Sequence, residues 1–201
     1  MKNKQYMIAD ARREQIIHAA IEVLTEIGYF STSLSKIANK ANTSTGLISY
    51  HFSGKEDLMN NTLLYLVELE KDFIIERVEQ KSSILEKLMA FIEAGIEYRA
   101  TKRGNTTALL EIVFNVRNPD NVPYFRQELR PEDELSVLLE ELLRKGVESK
   151  AFKDDLDPRV VTMMIRGAVS LSMSLPLDES VLSFKHYTEQ VTKNVLKMIH
   201  H

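Results

Sequence analysis

Short polar side chains are concentrated between residues 44 and 49. Ser44, Thr45 and Gly46 have little bulk, and Ser49 follows about one helical turn later on the same face. Small hydroxyl groups at the N-terminal end of a helix suit the base edges of a DNA major groove, because helix and groove come closest there. These residues are therefore candidates for a base-contacting surface.

Groups suited to phosphate oxygens flank this stretch. Tyr50, His51 and Lys55 supply a hydroxyl, an imidazole and an ammonium, which position a protein on DNA without reading its sequence. Ser33 marks a helix start, whose free N–H groups also suit a phosphate. Structural explanations remain open, since Gly46 could serve a tight helix–helix contact and His51 could bond only within the fold.

Helices must position these groups, because the chain has only seven glycines, five prolines and little β-branched alternation. The apolar spacing predicts a first helix over residues 11–27, which Gly28 ends. Ser33 caps a second helix, and Thr43 or Ser44 caps a third. A long helix follows from Lys55 to about residue 80. Two short helices around a polar turn predict a helix-turn-helix whose second helix enters the major groove.

The rest of the chain is also predicted to be helical. Amphipathic segments cover residues 82–101, 105–116 and 132–148, with a loop or broken turn over 120–127. Asp157-Pro158 starts a helix that runs to about residue 175, and Asp178 caps the last helix. The fold class is therefore all-α, with a three-helix DNA-binding head over residues 1–54. A long helix joins this head to a ligand-binding and dimerisation bundle, and residues 55–201 form that second domain.

The head resembles the tetracycline-repressor (TetR) family of bacterial regulators. The similarity covers roughly residues 13–58 and is most specific in the run Gly46-Leu47-Ile48-Ser49-Tyr50-His51-Phe52 with Lys55-Glu56-Asp57-Leu58. Two positions depart from the family pattern. Asn42 stands where glycine is usual, which a left-handed asparagine tolerates, and Ser49 stands where tyrosine is frequent.

The resemblance implies an all-helical homodimer that binds double-stranded DNA and carries a ligand-binding body. It places groove contacts at the start of the third helix and backbone contacts on both sides of it. Ser44 joins these contacts as the cap of the third helix. The predicted DNA-binding residues are Ser33, Lys36, Ser44, Thr45, Gly46, Leu47, Ser49, Tyr50, His51 and Lys55.

The last two helices carry more apolar surface than one chain readily buries. A two-fold bundle of four helices from two chains would cover that surface, although an internal core helix of a monomer is the alternative. The predicted interface residues are Val161, Ile165, Ala168, Leu171, Ser172, Phe184, Val191 and Val195.

A ligand pocket is harder to locate, because methionines and aromatics at helical spacing more often form core than pocket. Glu93, Glu97 and Glu111 could face a cavity and favour a cationic ligand, or could simply be solvated. The predicted pocket residues are Met89, Phe91, Glu93, Tyr98, Glu111, Phe114, Tyr124, Phe125, Met163 and Met164. The effector itself is an unknown small molecule.

Other function classes find little support. Cysteine is absent, no glutamate stands three residues before any histidine, and no Walker, nucleophile-elbow or HExxH motif occurs. We therefore expect no enzyme activity, metal or cofactor. The lack of a long apolar run predicts a soluble, cytoplasmic protein that does not associate with membranes. The terminal histidines could be a tag remnant.

Charge agrees weakly with a DNA-facing N-terminus. The whole chain has a net charge of −3, but the first 58 residues hold seven basic and six acidic side chains.

Together, the helix-turn-helix, the apolar helical body and the family resemblance predict a ligand-responsive repressor that binds a palindromic operator as a homodimer and is released by its effector. The alternative is a helical interaction or sensor protein that has lost specific DNA binding.

Overall fold

The computed structural model describes residues 2–118, 120–126, 133–174 and 183–200, without the side chains of residues 2–9, 125 and 174. Within these ranges the chain is almost entirely helical, and one isolated bridge between Arg117 and Pro123 is the only β pairing. The all-α prediction is confirmed. No helix in the described ranges is long and apolar enough to cross a membrane.

The helices are α1 (Lys2–Ser31), α2 (Leu34–Lys40), α3 (Thr45–His51), α4 (Lys55–Glu79), α5 (Ile84–Thr101), α6 (Arg103–Asn115), α7 (Glu134–Glu148), α8 (Pro158–Leu171) and α9 (Phe184–Ile199). Short 3-10 turns cover Tyr124–Arg126 and Ser172–Ser174. Asp178, which the sequence predicted to cap the last helix, lies outside the described residues. The helix α9 itself begins at Phe184, with Ser183 as its cap.

Packing divides the chain into two compact units. The first holds the described residues within 1–68 and 104–129, and the second holds those within 69–103 and 130–201. The division therefore falls inside α4 and again after Arg103, the first residue of α6. It describes how the helices pack, whereas the predicted functional boundary after residue 54 separates DNA binding from ligand binding.

Local sequence signals set the helix ends of the first unit. Gly28 has φ of 73° and interrupts α1, a conformation that strains any residue with a side chain. Ser33 Oγ accepts the backbone N–H of Lys36 and so caps α2. Asn42 adopts φ of 49°, so it takes the left-handed turn conformation that the sequence predicted.

The core of the first unit holds α2 and α3 against α1. Ile37 of α2 and Ile48 of α3 are fully buried, and α4 and α6 contribute Leu58 and Ile112 to the same cluster. Burial of each such side chain stabilises the fold by about 1.5–3 kcal/mol. The helix-turn-helix is therefore a rigid part of this unit, with α3 held by its inward face.

The second unit is built from α5, α7, α8, α9 and the end of α4. Ser83 and Glu86 form a reciprocal capping box at the start of α5, and Asp157 caps α8 just before Pro158. The core centres on Phe91 of α5, which is fully buried. A Cβ on Gly95 would lie 2.7 Å from Cγ1 of Val169, so glycine permits the close approach of α5 and α8.

Asp133 links α7 to α8 in this unit. Its carboxylate caps α7 and lies 3.0 Å from Nη2 of Arg166. Burial alone raises the pKa of this carboxyl. The Arg166 charge and the hydrogen bonds from Ser136 and Arg166 outweigh burial, so the net pKa lies below its ordinary value.

Candidate nucleic-acid interface

The outward face of α3 consists of small or polar side chains. Ser44, Thr45, Gly46 and Ser49 are exposed, while Ile48 on the opposite face is fully buried. Ser44 Oγ accepts the backbone N–H of Leu47 at 3.2 Å, which caps the helix and fixes its entry angle. The first turn of α3 is therefore exposed, rigid and free of bulky groups, as a helix that enters a groove requires.

Gly46 has open space beside it. A Cβ built on this residue would meet only Ser44 Oγ, at 3.7 Å. The structure therefore excludes a tight helix–helix contact within the described residues as the reason for glycine here. The lack of a side chain leaves the helix backbone accessible from outside the protein.

The end of α3 carries an exposed phenol and a half-buried imidazole. Tyr50 is 81% exposed, and its ring meets that of His51 edge to face at 5.1 Å between centroids. Leu47 is half-buried, so only part of its side chain faces outward. Tyr50 therefore projects beside the exposed first turn, where its hydroxyl is available to a phosphate.

Arg13 anchors this end of α3, a role that sequence reasoning missed. Its Nη1 donates to the His51 carbonyl at 2.8 Å, and its Nη2 donates to Asn61 Oδ1 at 2.6 Å. The guanidinium also lies 4.5 Å from the centre of the Phe52 ring. Arg13 stands 38 residues before His51, and no local sequence signal reveals a pairing across that distance.

The predicted phosphate contacts at α2 lie at the surface. Lys36 is exposed, and its ammonium donates to the Ser31 carbonyl at 2.9 Å. Ser33 is half-buried, and its hydroxyl is engaged as the helix cap and with Ser35. Both residues flank the free N–H groups at the start of α2.

Lys55 is more engaged within the protein than the sequence predicted. Its Nζ donates to the Tyr29 carbonyl at 2.8 Å and lies 4.0 Å from the centre of the Tyr29 ring. Burial lowers the pKa of this ammonium below its ordinary value, against the opposing charge of Glu56. Burial, and to a smaller extent the negative charge of Glu56, raises the pKa of the Tyr29 hydroxyl above its ordinary value. Lys55 therefore holds the start of α4 against the end of α1, whatever else it contacts.

Comparison with known proteins agrees with this helical head and body. Residues 16–62 match the family model described as bacterial regulatory proteins of the tetR family, and residues 81–173 match a tetracyclin repressor-like C-terminal domain. The fatty acid metabolism regulator protein of Bacillus subtilis is 31% identical over 161 residues, which span 77% of this chain and 78% of that protein. The chain belongs to the TetR family.

Solved structures of similar proteins share the fold. The fatty acid degradation regulator FadR of Bacillus halodurans superposes with a TM-score of 0.71 at 23% identity, over 92% of this chain and 94% of its own. AibR, solved in complex with isovaleryl coenzyme A and operator DNA, superposes with a TM-score of 0.70 at 18% identity, over 91% of this chain and 97% of its own.

The family matches also give the function in outline. This TetR-family chain is a DNA-binding, ligand-responsive transcriptional regulator and not an enzyme, as the sequence predicted.

The predicted pocket residues of this TetR-family chain are divided between its two packing units. Phe91 and Tyr98 are buried and Met89 is half-buried in the second unit, whereas Glu111, Phe114 and Tyr124 belong to the first. The side chain of Phe125 lies outside the described residues. Sequence periodicity could assign these residues to helix faces but could not divide them between units.

The surroundings of three predicted pocket residues are clear from the fold. Met163 and Met164 are 75% and 56% exposed on α8, so they do not line an interior cavity of the chain. Glu111 has a structural partner, because its Oε2 accepts the Tyr29 N–H at 2.8 Å. The sequence could not show which way the α8 methionines face, because that helix is apolar on nearly all sides.

One groove in the second unit includes a predicted pocket residue. It has a volume of about 580 Å³ and is lined by residues of α5 and α9, among them Glu93, Glu97, Phe184 and Glu189. Both Glu93 and Glu97 are exposed, and Glu97 pairs with Arg77 at 3.3 Å. In the described residues no group of three or more metal-binding side chains occurs.

The predicted dimer residues point mostly inward in the single chain. Ile165 and Val195 are buried in the core of their own chain, as are two further positions, Val161 and Ser172. Phe184 and Val191 are half-buried against the same core. Half-buried Ala168 uses its carbonyl to accept the Tyr187 hydroxyl at 2.7 Å, and Leu171 is 65% exposed.

Proposed function

We propose that this protein is a repressor that binds a palindromic operator as a homodimer and leaves it when a small molecule binds the body. The observation that supports the DNA part is the exposed, unobstructed first turn of α3, with Thr45 and Gly46 at its start. A dimer offers two such helices, which match two half-sites about one helical turn of DNA apart.

The proposed contacts separate into two classes. Thr45, Gly46, Leu47 and Ser49 would meet base edges or the groove wall, with Ser44 beside them. The remaining predicted residues would meet the sugar-phosphate backbone. This second set is Ser33, Lys36, Tyr50, His51 and Lys55, and the DNA-binding domain would cover residues 1–54.

A footprint on DNA from the neighbourhood of the protein's own gene tests this function. We expect one protected palindrome at moderate salt. Thr45→Ala should change preference at one base step, whereas Lys36→Ala should weaken binding to all sequences and lower the salt dependence by about one ion. No protected palindrome would favour the alternative, a helical sensor that has lost specific DNA binding.

The homodimer is supported by an exposed apolar stripe on α8. Val160, Met163, Gly167 and Leu171 recur every three or four residues, and all are exposed together with Met164. A Cβ on Gly167 would meet nothing within 4 Å, so a second helix could approach closely there. The outward residues of α9 are polar, so the stripe on α8 is the apolar face that a second copy would cover.

Sedimentation of matched charge variants tests the interface. Met163→Glu should give a monomer at micromolar concentration, because it places a carboxylate in the centre of the stripe. Lys193→Glu changes an exposed residue of α9 and should sediment as the wild-type dimer. A wild-type monomer, or a Met163→Glu dimer as stable as the control, would contradict this interface.

The names of similar proteins suggest effector classes to test first. One relative is a fatty acid metabolism regulator, and one solved neighbour contains isovaleryl coenzyme A. Carboxylic acids with an apolar chain and their coenzyme A thioesters are therefore the first candidates. Release of the protected DNA fragment by either class would support the proposed direction of control.

A further inference from the structure

Two arginines meet at one buried carboxylate in the second unit. Glu70 of α4 and Arg99 of α5 are each 7% exposed, and Arg99 Nη1 donates to Glu70 Oε1 at 2.6 Å. Nη1 of Arg166, on α8, lies 3.9 Å from the same oxygen, which is too long for a hydrogen bond. Helices α4, α5 and α8 are thus joined through one carboxylate oxygen.

This cluster has more donors than acceptors. Arg99 Nε, Arg166 Nη1 and the hydroxyl of Thr162 are fully buried, and none has a hydrogen-bond partner among the described residues. Thr162 stands four residues before Arg166, so both lie on the same face of α8. A buried donor without a partner destabilises the fold, and more so when it is charged. Buried donors without partners are rare in native proteins, so each of these calls for an explanation.

We propose that Arg99 and Arg166 are the receptor for the carboxylate of an apolar effector, and that Glu70 occupies this receptor in the unliganded protein. The inference rests on the proposed ligand-responsive function and names the chemistry of the ligand. The unpaired guanidinium nitrogens are fully buried, so they leave no room for an additional anion beside Glu70. An incoming carboxylate fits by replacing the Glu70 carboxylate, which has the same shape and charge.

The exchange is energetically plausible because it conserves the buried charge. The Arg99 guanidinium and Nη1 of Arg166 are already desolvated by the fold, so the ligand need not supply that cost. Glu70 regains hydration when it leaves. An amine would be repelled by both arginines. An alcohol or thioester would leave Arg99 without its counter-ion, whereas Arg166 keeps Asp133 at 3.0 Å. The core of the second unit is apolar, so a hydrocarbon chain that enters it would meet apolar side chains.

Release of Glu70 would also break the contacts that α4 makes with Arg99 and Arg166. Glu70 stands on α4, which begins at Lys55. Shortly before it in the chain, at His51, ends α3, the proposed recognition helix that would enter the DNA groove. The ligand carboxylate would thus remove a tie between α4 and the helices α5 and α8. Such a change provides the differential binding energy that a ligand needs to shift an equilibrium between two states.

Four eight-carbon probes on the full-length protein test the proposal: octanoate, octanol, octylamine and octanoyl coenzyme A. Thermal unfolding and calorimetric titration measure their binding without DNA. We expect octanoate to raise the unfolding midpoint with increasing concentration and to bind at least about tenfold more tightly than octanol. Octylamine should not bind, and the thioester should bind no better than octanol. Equal binding of octanol and octanoate, or no response to octanoate below its micellar concentration, would overturn the proposal.

Variants distinguish a receptor from a merely structural ion pair. Glu70→Gln removes the competing charge and should bind octanoate roughly tenfold more tightly than wild type. The double variant Glu70→Gln/Arg99→Gln leaves no unpaired charge, so it keeps the test valid if the single variant fails to fold. Its octanoate affinity should fall to that of octanol.

A matched control completes the test. Arg77→Gln removes an arginine that pairs with Glu97 nearer the surface of the same unit, and should bind octanoate as the wild type does. Wild-type octanoate affinity in the double variant would refute the assignment. Because no readout involves DNA, this inference can fail while the repressor function stands, and the reverse also holds.

Discussion

Substitution of Gly46 by alanine should move stability and DNA affinity in opposite directions. The added Cβ would meet only Ser44 Oγ, at 3.7 Å, so the free protein accommodates it without a clash. Alanine loses less conformational entropy than glycine when a helix forms. The free energy of unfolding should therefore stay constant or rise by up to about 1 kcal/mol, with the smaller gain expected in a first turn.

In the DNA-bound state the same substitution should be unfavourable, if α3 enters the groove by its first turn. A methyl group then occupies the place where backbone and DNA come closest. Insertion of one methyl group into a packed interface costs about 1–3 kcal/mol. This cost corresponds to DNA binding that is about fivefold to 150-fold weaker.

Urea unfolding and fluorescence anisotropy measure the two effects separately. The DNA is a duplex that the wild-type protein selects from random sequences, so the measurement does not depend on identifying the natural operator. Gly104→Ala is the control, because its Cβ would meet Thr25 Oγ1 at an ordinary 3.6 Å and lies on α6. If Gly46→Ala binds this duplex as tightly as the control does, close approach of DNA to the first turn of α3 is refuted.

Three further predictions concern positions that stabilise each unit internally. Glu111→Ala should lower the free energy of unfolding by about 1.5–3 kcal/mol in a urea titration, because it leaves the Tyr29 N–H without its charged acceptor; a loss under about 0.5 kcal/mol, as for an exposed ion pair, would contradict this role. In the same urea titration, Gly146→Ala should lower the free energy of unfolding by about 3 kcal/mol, since its Cβ would lie 2.0 Å from the Phe152 ring. The loss should vanish when Gly146→Ala is made in a Phe152→Ala background. Asp133→Asn should be less stable than wild type at neutral pH. The difference should begin to shrink below about pH 4, the ordinary pKa of the unfolded carboxyl, and should disappear once the pH is below the lowered pKa of the folded state, because both states are then protonated; a difference independent of pH would contradict it.

Local features were predictable because short-range chemistry determines them. Ser33 and Ser44 cap α2 and α3 through their own hydroxyls, and Asn42 takes a left-handed turn that few other residues tolerate. Asp157 before Pro158 begins a helix for the same local reason. The all-α class and the helix-turn-helix followed from such signals together with the apolar spacing.

Pairings distant in the sequence were not predictable. The spacing of α8 is apolar on most sides, so it could not show that Ile165 faces its own core while Met163 faces outward. The sequence assigned Lys55 to phosphate because lysine is a general anion partner, whereas the fold brings the Tyr29 carbonyl to it. The pair of Glu70 and Arg99 is formed by residues on separate helices, and only their packing brings it together.

The backbone of Tyr29 shows how such pairings connect the recognition helix to the rest of the first unit. Its N–H donates to the Glu111 carboxylate of α6, and its carbonyl accepts a hydrogen bond from Lys55, the first residue of α4. Gly28, with φ of 73°, ends the regular α1 hydrogen bonding immediately before this residue and so leaves its N–H for the carboxylate. One residue therefore joins α6 and α4, and a shift of α6 must either break the Glu111 bond or move the end of α1. Because α4 begins at Lys55, shortly after α3 ends at His51, a movement of Tyr29 reaches the recognition helix through a single side-chain contact. The Glu111→Ala variant tests this connection directly, since loss of the bond should weaken DNA binding more than an equal loss of stability elsewhere in the unit does.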